Sequence, residues 1–189
     1  MSEPPSASFN CDMQWAPGWQ QRAAACAAML EPVLRTADGS LRTVFDVGCG
    51  DQKLRRALEE RDVRCEYRGF DLRPQTPDTT PIDLHTDTLP AGADVIVMLG
   101  VVEYLRDLGA VLANLPAATP RLLISHVVRE RSSYTEAQLR ELGWINHLTT
   151  TEITQMLLRS GFRVQTITGT DEGRVLLFSC LRDSGRSAR

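Results

Sequence analysis

Residues 45–51 read Phe45-Asp46-Val47-Gly48-Cys49-Gly50-Asp51, and this stretch decides the fold. Thr43, Val44, Phe45 and Val47 form a short apolar run of the kind found in a fully buried strand. Gly48 and Gly50 follow at once. They let the backbone turn sharply and let a ligand approach where a Cβ would collide. From Gln52 to Glu60 the pattern becomes helical, with Leu54, Ala57 and Leu58 on one face. Strand, glycine turn and helix form a corner suited to a nucleotide. The third glycine of the dinucleotide fingerprint is replaced by Lys53, which argues against a pyrophosphate as the bound group.

Working outward, Tyr67-Arg68-Gly69-Phe70 leads into Asp71, twenty-one residues after Gly50. An acid at the tip of the next strand can accept hydrogen bonds from both ribose hydroxyls of a nucleoside. Further strands are expected near 81–84, 94–99, 121–126, 162–168 and 174–181, after those at 43–47 and 64–70. Helices are expected near 15–35, 51–60, 107–115 and 149–160. Thr149 and Glu152 form a capping box and Gly161 supplies the stop. Gly169 to Gly173 is short enough for a hairpin, so the final strand should run antiparallel. The expected fold is α/β: a Rossmann-like three-layer sandwich whose seven-stranded sheet is parallel except for its last strand.

The chain resembles the class I S-adenosylmethionine-dependent methyltransferases over roughly residues 40 to 181. Asp46-Val47-Gly48-Cys49-Gly50 is similar to their first motif and Asp71 to their second. Ile82-Asp83-Leu84 is similar to their adenine-contacting segment. Asp94 to Leu105, reading DVIVMLGVVEYL, resembles their fourth strand and the turn after it. The resemblance implies S-adenosyl-L-methionine as cofactor, held by Asp46, Gly48, Gly50, Asp71, Leu72, Asp83, Leu84, Leu99 and Gly100. Asp46 would order the glycine loop and reach the methionine amino group through water. Asp87 rivals Asp83 as the adenine contact. The acceptor would meet the methyl group beside Leu99, Gly100 and Val101.

His126 ends the fifth strand beside that place. It is read either as a base for an acceptor hydroxyl or as a hydrogen-bonded strand-end histidine. Glu103 is either a contact to cofactor or acceptor, or a helix N-terminal acid favoured by the dipole. Tyr104 is a candidate acceptor contact that could equally be packing. About twenty residues from Val127 to Leu148 separate strand from helix, and loops that long are usually functional or mobile. Within them Arg129, Tyr134 and Asn146 suit a polar or anionic acceptor, with a solvated loop carrying a short helix at 135–142 as the alternative. Trp15 and Trp19 are read as helix packing before lid.

Composition narrows the function classes. The chain has 189 residues, 42% of them hydrophobic and 24% charged, with a net charge of −3. That is ordinary for one globular domain. It offers no electrostatic reason for binding nucleic acid or an anionic membrane. Five cysteines without CxxC spacing argue against a disulfide framework or a metal site and for a cytoplasmic location. The expected layout is a disordered tail at 1–10, a helical segment at 11–40, the main domain at 41–182 and a flexible tail at 183–189. The expected function is O- or N-methylation of a small-molecule acceptor, a saccharide or secondary metabolite, by a monomer or homodimer. The rival reading is a MetW-like regulatory subunit that does not catalyse.

Overall fold

The structure is a computed structural model and describes residues 16–183; the tails expected at 1–10 and over most of 183–189, and Trp15, lie outside them. Seven strands form one sheet. They are β1 (Thr43–Val47), β2 (Glu66–Asp71), β3 (Thr80–Pro81), β4 (Val95–Met98), β5 (Arg121–Val127), β6 (Phe162–Thr170) and β7 (Val175–Arg182). Their spatial order is β3-β2-β1-β4-β5-β7-β6. β7 runs antiparallel to both β5 and β6, and the remaining pairs are parallel. The hairpin expected across Gly169–Gly173 is therefore present.

Period-two alternation divides the core. Phe45, Ile96, Met98, Ile124 and Phe178 point to one face, where α3 (Leu108–Ala113) and α5 (Thr150–Arg159) cover them through Leu108, Leu112, Ile153 and Leu157. Val44, Val95, Val97, Leu123 and Leu177 point to the other, under α1 (Ala16–Leu34) and α2 (Lys53–Glu59). Ala23, Cys26, Ala27, Leu30 and Leu34 form the buried stripe of α1. The helix at the start of the chain is thus part of the sandwich.

Local signals explain the element ends. Thr149 and Glu152 make the reciprocal capping box of α5, and Gly161 takes φ +80 just beyond it. The long loop after β5 contains α4 (Glu136–Glu141), capped in the same way by Thr135 and Gln138. β3 is shorter than expected. Its ladder ends because residues 83–87 fold into a turn in which Thr86 and Asp87 donate to the Asp83 carbonyl.

Candidate active site

The parallel sheet reverses its winding between β1 and β4, and ligands bind at the carboxyl ends of strands at such a point. A cavity of 310 Å³ opens there, walled by Asp46 to Asp51, Asp71 to Arg73, Ile82 to His85, Leu99 to Val101, Tyr104 and Trp19.

Its floor is the glycine loop. Gly48 has φ +75, and a Cβ on it would lie 2.2 Å from Val101 Cγ2. Only glycine lets the first loop meet the turn after β4. The Gly48 and Cys49 amides both donate to the Phe70 carbonyl, at 2.7 and 3.1 Å. The Gly50 amide donates to Asp71 Oδ2 at 2.8 Å, and the Arg73 amide donates to Oδ1 at 2.8 Å. Asp71 is thus oriented by two backbone donors, and each oxygen keeps a second lone pair for a further donor. Gln52 sits in the left-handed region at φ 63. Its buried amide donates to Thr76, Asp78 and Thr79, tying the loop after β2 to the same corner.

Asp46 does not order the glycine loop; Phe70 and Asp71 do that. The buried Asp46 carboxylate accepts instead from the Tyr67 hydroxyl at 2.6 Å. Burial pushes its carboxyl up to about 7, against the opposing hydrogen bond from Tyr67. Burial and Asp46 push the Tyr67 hydroxyl well above its ordinary value, so it remains a donor. Burial also lifts the Cys49 thiol to about 12, which leaves no thiolate beside the cavity.

On the opposite wall, Leu72 is 48% exposed and offers an apolar shelf. Asp83 lines the cavity, but its Oδ1 accepts from the His85 amide and contacts His85 Nδ1, each at 2.9 Å. Asp87 accepts from the Asp83 amide; it holds the turn and does not line the cavity. Leu84, Leu99, Gly100 and Tyr104 also line the cavity, and Trp19 joins them.

Three expectations change with the geometry. His126 is fully buried and does not line the cavity. Its Nε2 accepts from the Leu148 amide at 3.0 Å, so the lone pair a base would use is occupied. Its Nδ1 lies 3.2 Å from Glu103 Oε1. Glu103 is buried with it and accepts from the Val127 amide. Burial raises the Glu103 carboxyl, but His126 first and then Arg22 outweigh that and hold it below its ordinary value. Glu103 thus sits in the first turn of the 3-10 helix Val102–Tyr104 and does not line the cavity.

The third change concerns the loop. Asn146 donates to the Val102 and Leu105 carbonyls, clamping the 3-10 turn at Val102–Tyr104. Arg129 pairs with Glu152. Tyr134 packs edge-on against Trp144 at 5.2 Å, and Trp144 donates to the Tyr104 hydroxyl. None of Arg129, Tyr134 and Asn146 lines the cavity; Asn146, and Tyr134 through Trp144, brace Tyr104, which does.

One polar residue near the site escaped the sequence reading. Arg22 lies on the apolar stripe of α1, one turn after Trp19, and is only 8% exposed. A cation at a core position of an amphipathic helix was the signal. Among the described residues no His, Cys, Asp and Glu cluster fit for a metal is present, and no helix is long and apolar enough to cross a membrane.

Residues 19–167 match the family described as a methyltransferase domain. No match is found among curated proteins. Solved structures resemble the fold at low identity. The 1,6-didemethyltoxoflavin N1-methyltransferase of Burkholderia thailandensis aligns with a TM-score of 0.67 at 16% identity, over 91% of this chain and 82% of that one. The magnesium protoporphyrin IX methyltransferase ChlM of Synechocystis PCC 6803 gives 0.63 at 20%, over 88% and 84%. The mitomycin 7-O-methyltransferase MmcR gives 0.60 at 20%, over 86% and 53%. The chain thus spans about half the length of some of these proteins.

Three outcomes test the site. Asp71→Ala should weaken S-adenosylmethionine binding about 10-fold to 150-fold by calorimetry, the equivalent of one charge-assisted hydrogen bond of about 1.5–3 kcal/mol. His126→Ala should lower thermal stability, because it strips the Leu148 amide and Glu103 of a partner, and leave cofactor affinity unchanged. Asp46 has its folded value above its unfolded one, so below pH 7 it keeps a proton in the free protein that a nearby cation would displace. S-adenosylhomocysteine, which keeps the amino group, should therefore bind more tightly as pH rises from about 5 to 7; a flat profile, or the same profile in Asp46→Asn, would exclude this role.

With its match spanning most of the chain and a seven-stranded sheet of the matching order, the chain belongs to the methyltransferase-domain family, whose methyl donor is S-adenosylmethionine.

Proposed function

We propose that the protein transfers the methyl group of S-adenosylmethionine to an oxygen or nitrogen of a small-molecule acceptor. The observation that carries this reading is the pairing of the glycine loop with Asp71. Gly48 and Gly50 clear the space that an adenosyl group and its methionine portion need, and Asp71 presents free lone pairs to ribose hydroxyls. Leu72 and Leu84 would flank the adenine, with Asp83 at its edge. Asp46, buried at the end of β1, would face the methionine amino group.

S-adenosylmethionine supplies a methyl group already activated on a sulfonium. The chain's own residues then have to align an acceptor and exclude water. Leu99, Gly100 and Val101 form an apolar stretch at the end of β4, and Tyr104 is held beside them by Trp144. Among the described residues lining the cavity, the one imidazole is His85. Its Nδ1 contacts Asp83 and its Nε2 accepts from the Arg106 amide. No lining histidine is poised as a base, so alignment and desolvation would carry the rate. That suits an amine that is neutral at the working pH or an acidic hydroxyl. Structural neighbours named as O- and N-methyltransferases of small molecules support this acceptor class.

The rival reading, a MetW-like subunit without catalysis, shares the cofactor cleft but needs no acceptor chamber. Incubation with methyl-labelled S-adenosylmethionine and metabolite extracts separates the two. Label should appear in a small product, and S-adenosylmethionine at about a hundred times its dissociation constant should stabilise the fold by about 2.7 kcal/mol. Stabilisation without any labelled product would favour the regulatory reading.

A further inference from the structure

A cavity of 310 Å³ sits at the lower end of the roughly 300–1,000 Å³ that ligand pockets span. It holds one ligand of cofactor size. A wall that moves would add room for an acceptor beside the cofactor. The wall next to the end of β4 is the start of α1. Gly100 has φ +65, and a Cβ placed on it would lie 2.2 Å from Trp19 Cη2 and 2.8 Å from Arg22 Nη1. The Trp19 ring and the Arg22 guanidinium thus rest directly on Gly100. They stack on each other with 4.3 Å from the guanidinium carbon to the ring centre. Trp19 lines the cavity, whereas Arg22 does not.

The chemistry of Arg22 is unfinished. Burial lowers its affinity for its proton, and Glu103 and Asp171 offset this only from a distance. Its Nε is buried without a hydrogen-bond partner. Among the described residues no carboxylate stands within ion-pair distance of it, while Glu103 has His126 at 3.2 Å and Asp171 pairs with Arg174 at 3.0 Å. A buried cation without a counter-ion is costly. A guanidinium edge matches a carboxylate with two parallel donors. The cavity beyond Trp19 has aromatic and aliphatic walls in Tyr104, Leu99, Val101 and Leu105.

We propose that the acceptor is an aromatic carboxylic acid, which enters between α1 and Gly100 by displacing the Trp19 ring and is anchored through its carboxylate by Arg22. This rests on the methyltransferase reading and deepens it. Arg22 binds the acceptor and takes no part in the transfer.

The test titrates 2-hydroxybenzoate and 1-hydroxy-2-naphthoate, each with its primary carboxamide, into the protein saturated with S-adenosylhomocysteine, followed by calorimetry. At least one acid should bind, about tenfold or more tighter than its amide. Arg22→Gln should abolish that preference while S-adenosylhomocysteine still binds. If Arg22→Gln does not fold, Arg22→Lys keeps the charge without the two-donor edge and should reduce the preference. Failure of both acids to bind, equal binding of acid and amide, or a preference that survives Arg22→Gln would overturn the proposal. Binding of the acids without S-adenosylhomocysteine binding would instead sink the methyltransferase reading and leave the anchor standing.

Discussion

The corner where β1 meets β2 depends on three backbone donors. Gly48 and Cys49 both donate to the Phe70 carbonyl, and Gly50 donates to Asp71. These bonds satisfy amides that the glycine turn would otherwise leave unpaired. They also couple two strands so that Asp71 cannot be positioned independently of the loop. Gly48 adds a second constraint, since its contact with Val101 brings the turn after β4 against the same loop. Parts of the site drawn from β1, β2, β4 and their turns are thereby fixed by one loop without a side chain at its two turning points.

A second network stands behind the site and supports it. Glu103, His126 and the Leu148 and Val127 amides form a buried polar chain linking the turn after β4, the end of β5 and the entry to α5. Asn146 clamps the same turn through two carbonyls. Such chains are rigid when satisfied and expensive when broken. Their part here is to hold the turn that carries Tyr104. Arg22 Nε and Glu103 Oε2 are among the buried polar atoms without a hydrogen-bond partner.

What the chain reveals before folding is local. Gly48, Gly50 and Asp71 are legible because backbone chemistry demands glycine at two turns and an acid at one strand end. Thr149, Glu152 and Gly161 mark α5 for the same reason. Contacts between residues far apart in the chain are not legible this way. Tyr67 holds Asp46 from an adjoining strand. His126 reads equally as a base or as a hydrogen-bonded strand-end histidine until Leu148, twenty-two positions on, covers its nitrogen. β5 is buried on both faces, so alternation along Leu122 to Val127 says nothing about which side chains reach solvent. β3 was shortened by a turn whose hydrogen bonds depend on Asp83 and Asp87 together. Arg22 was visible as an anomaly on the stripe of α1, though its neighbour Gly100 lies seventy-eight residues away.

We propose that the cleft above Gly48 and Gly50 holds the adenosyl group with its ribose on Asp71. A crystal structure of the protein with S-adenosylhomocysteine tests it most directly. The ribose hydroxyls should lie within about 2.5–3.0 Å of the Asp71 oxygens, with the adenine over Leu72 and the methionine portion passing the glycine loop toward Asp46. A ligand bound elsewhere, or one whose ribose faces away from Asp71, would contradict it.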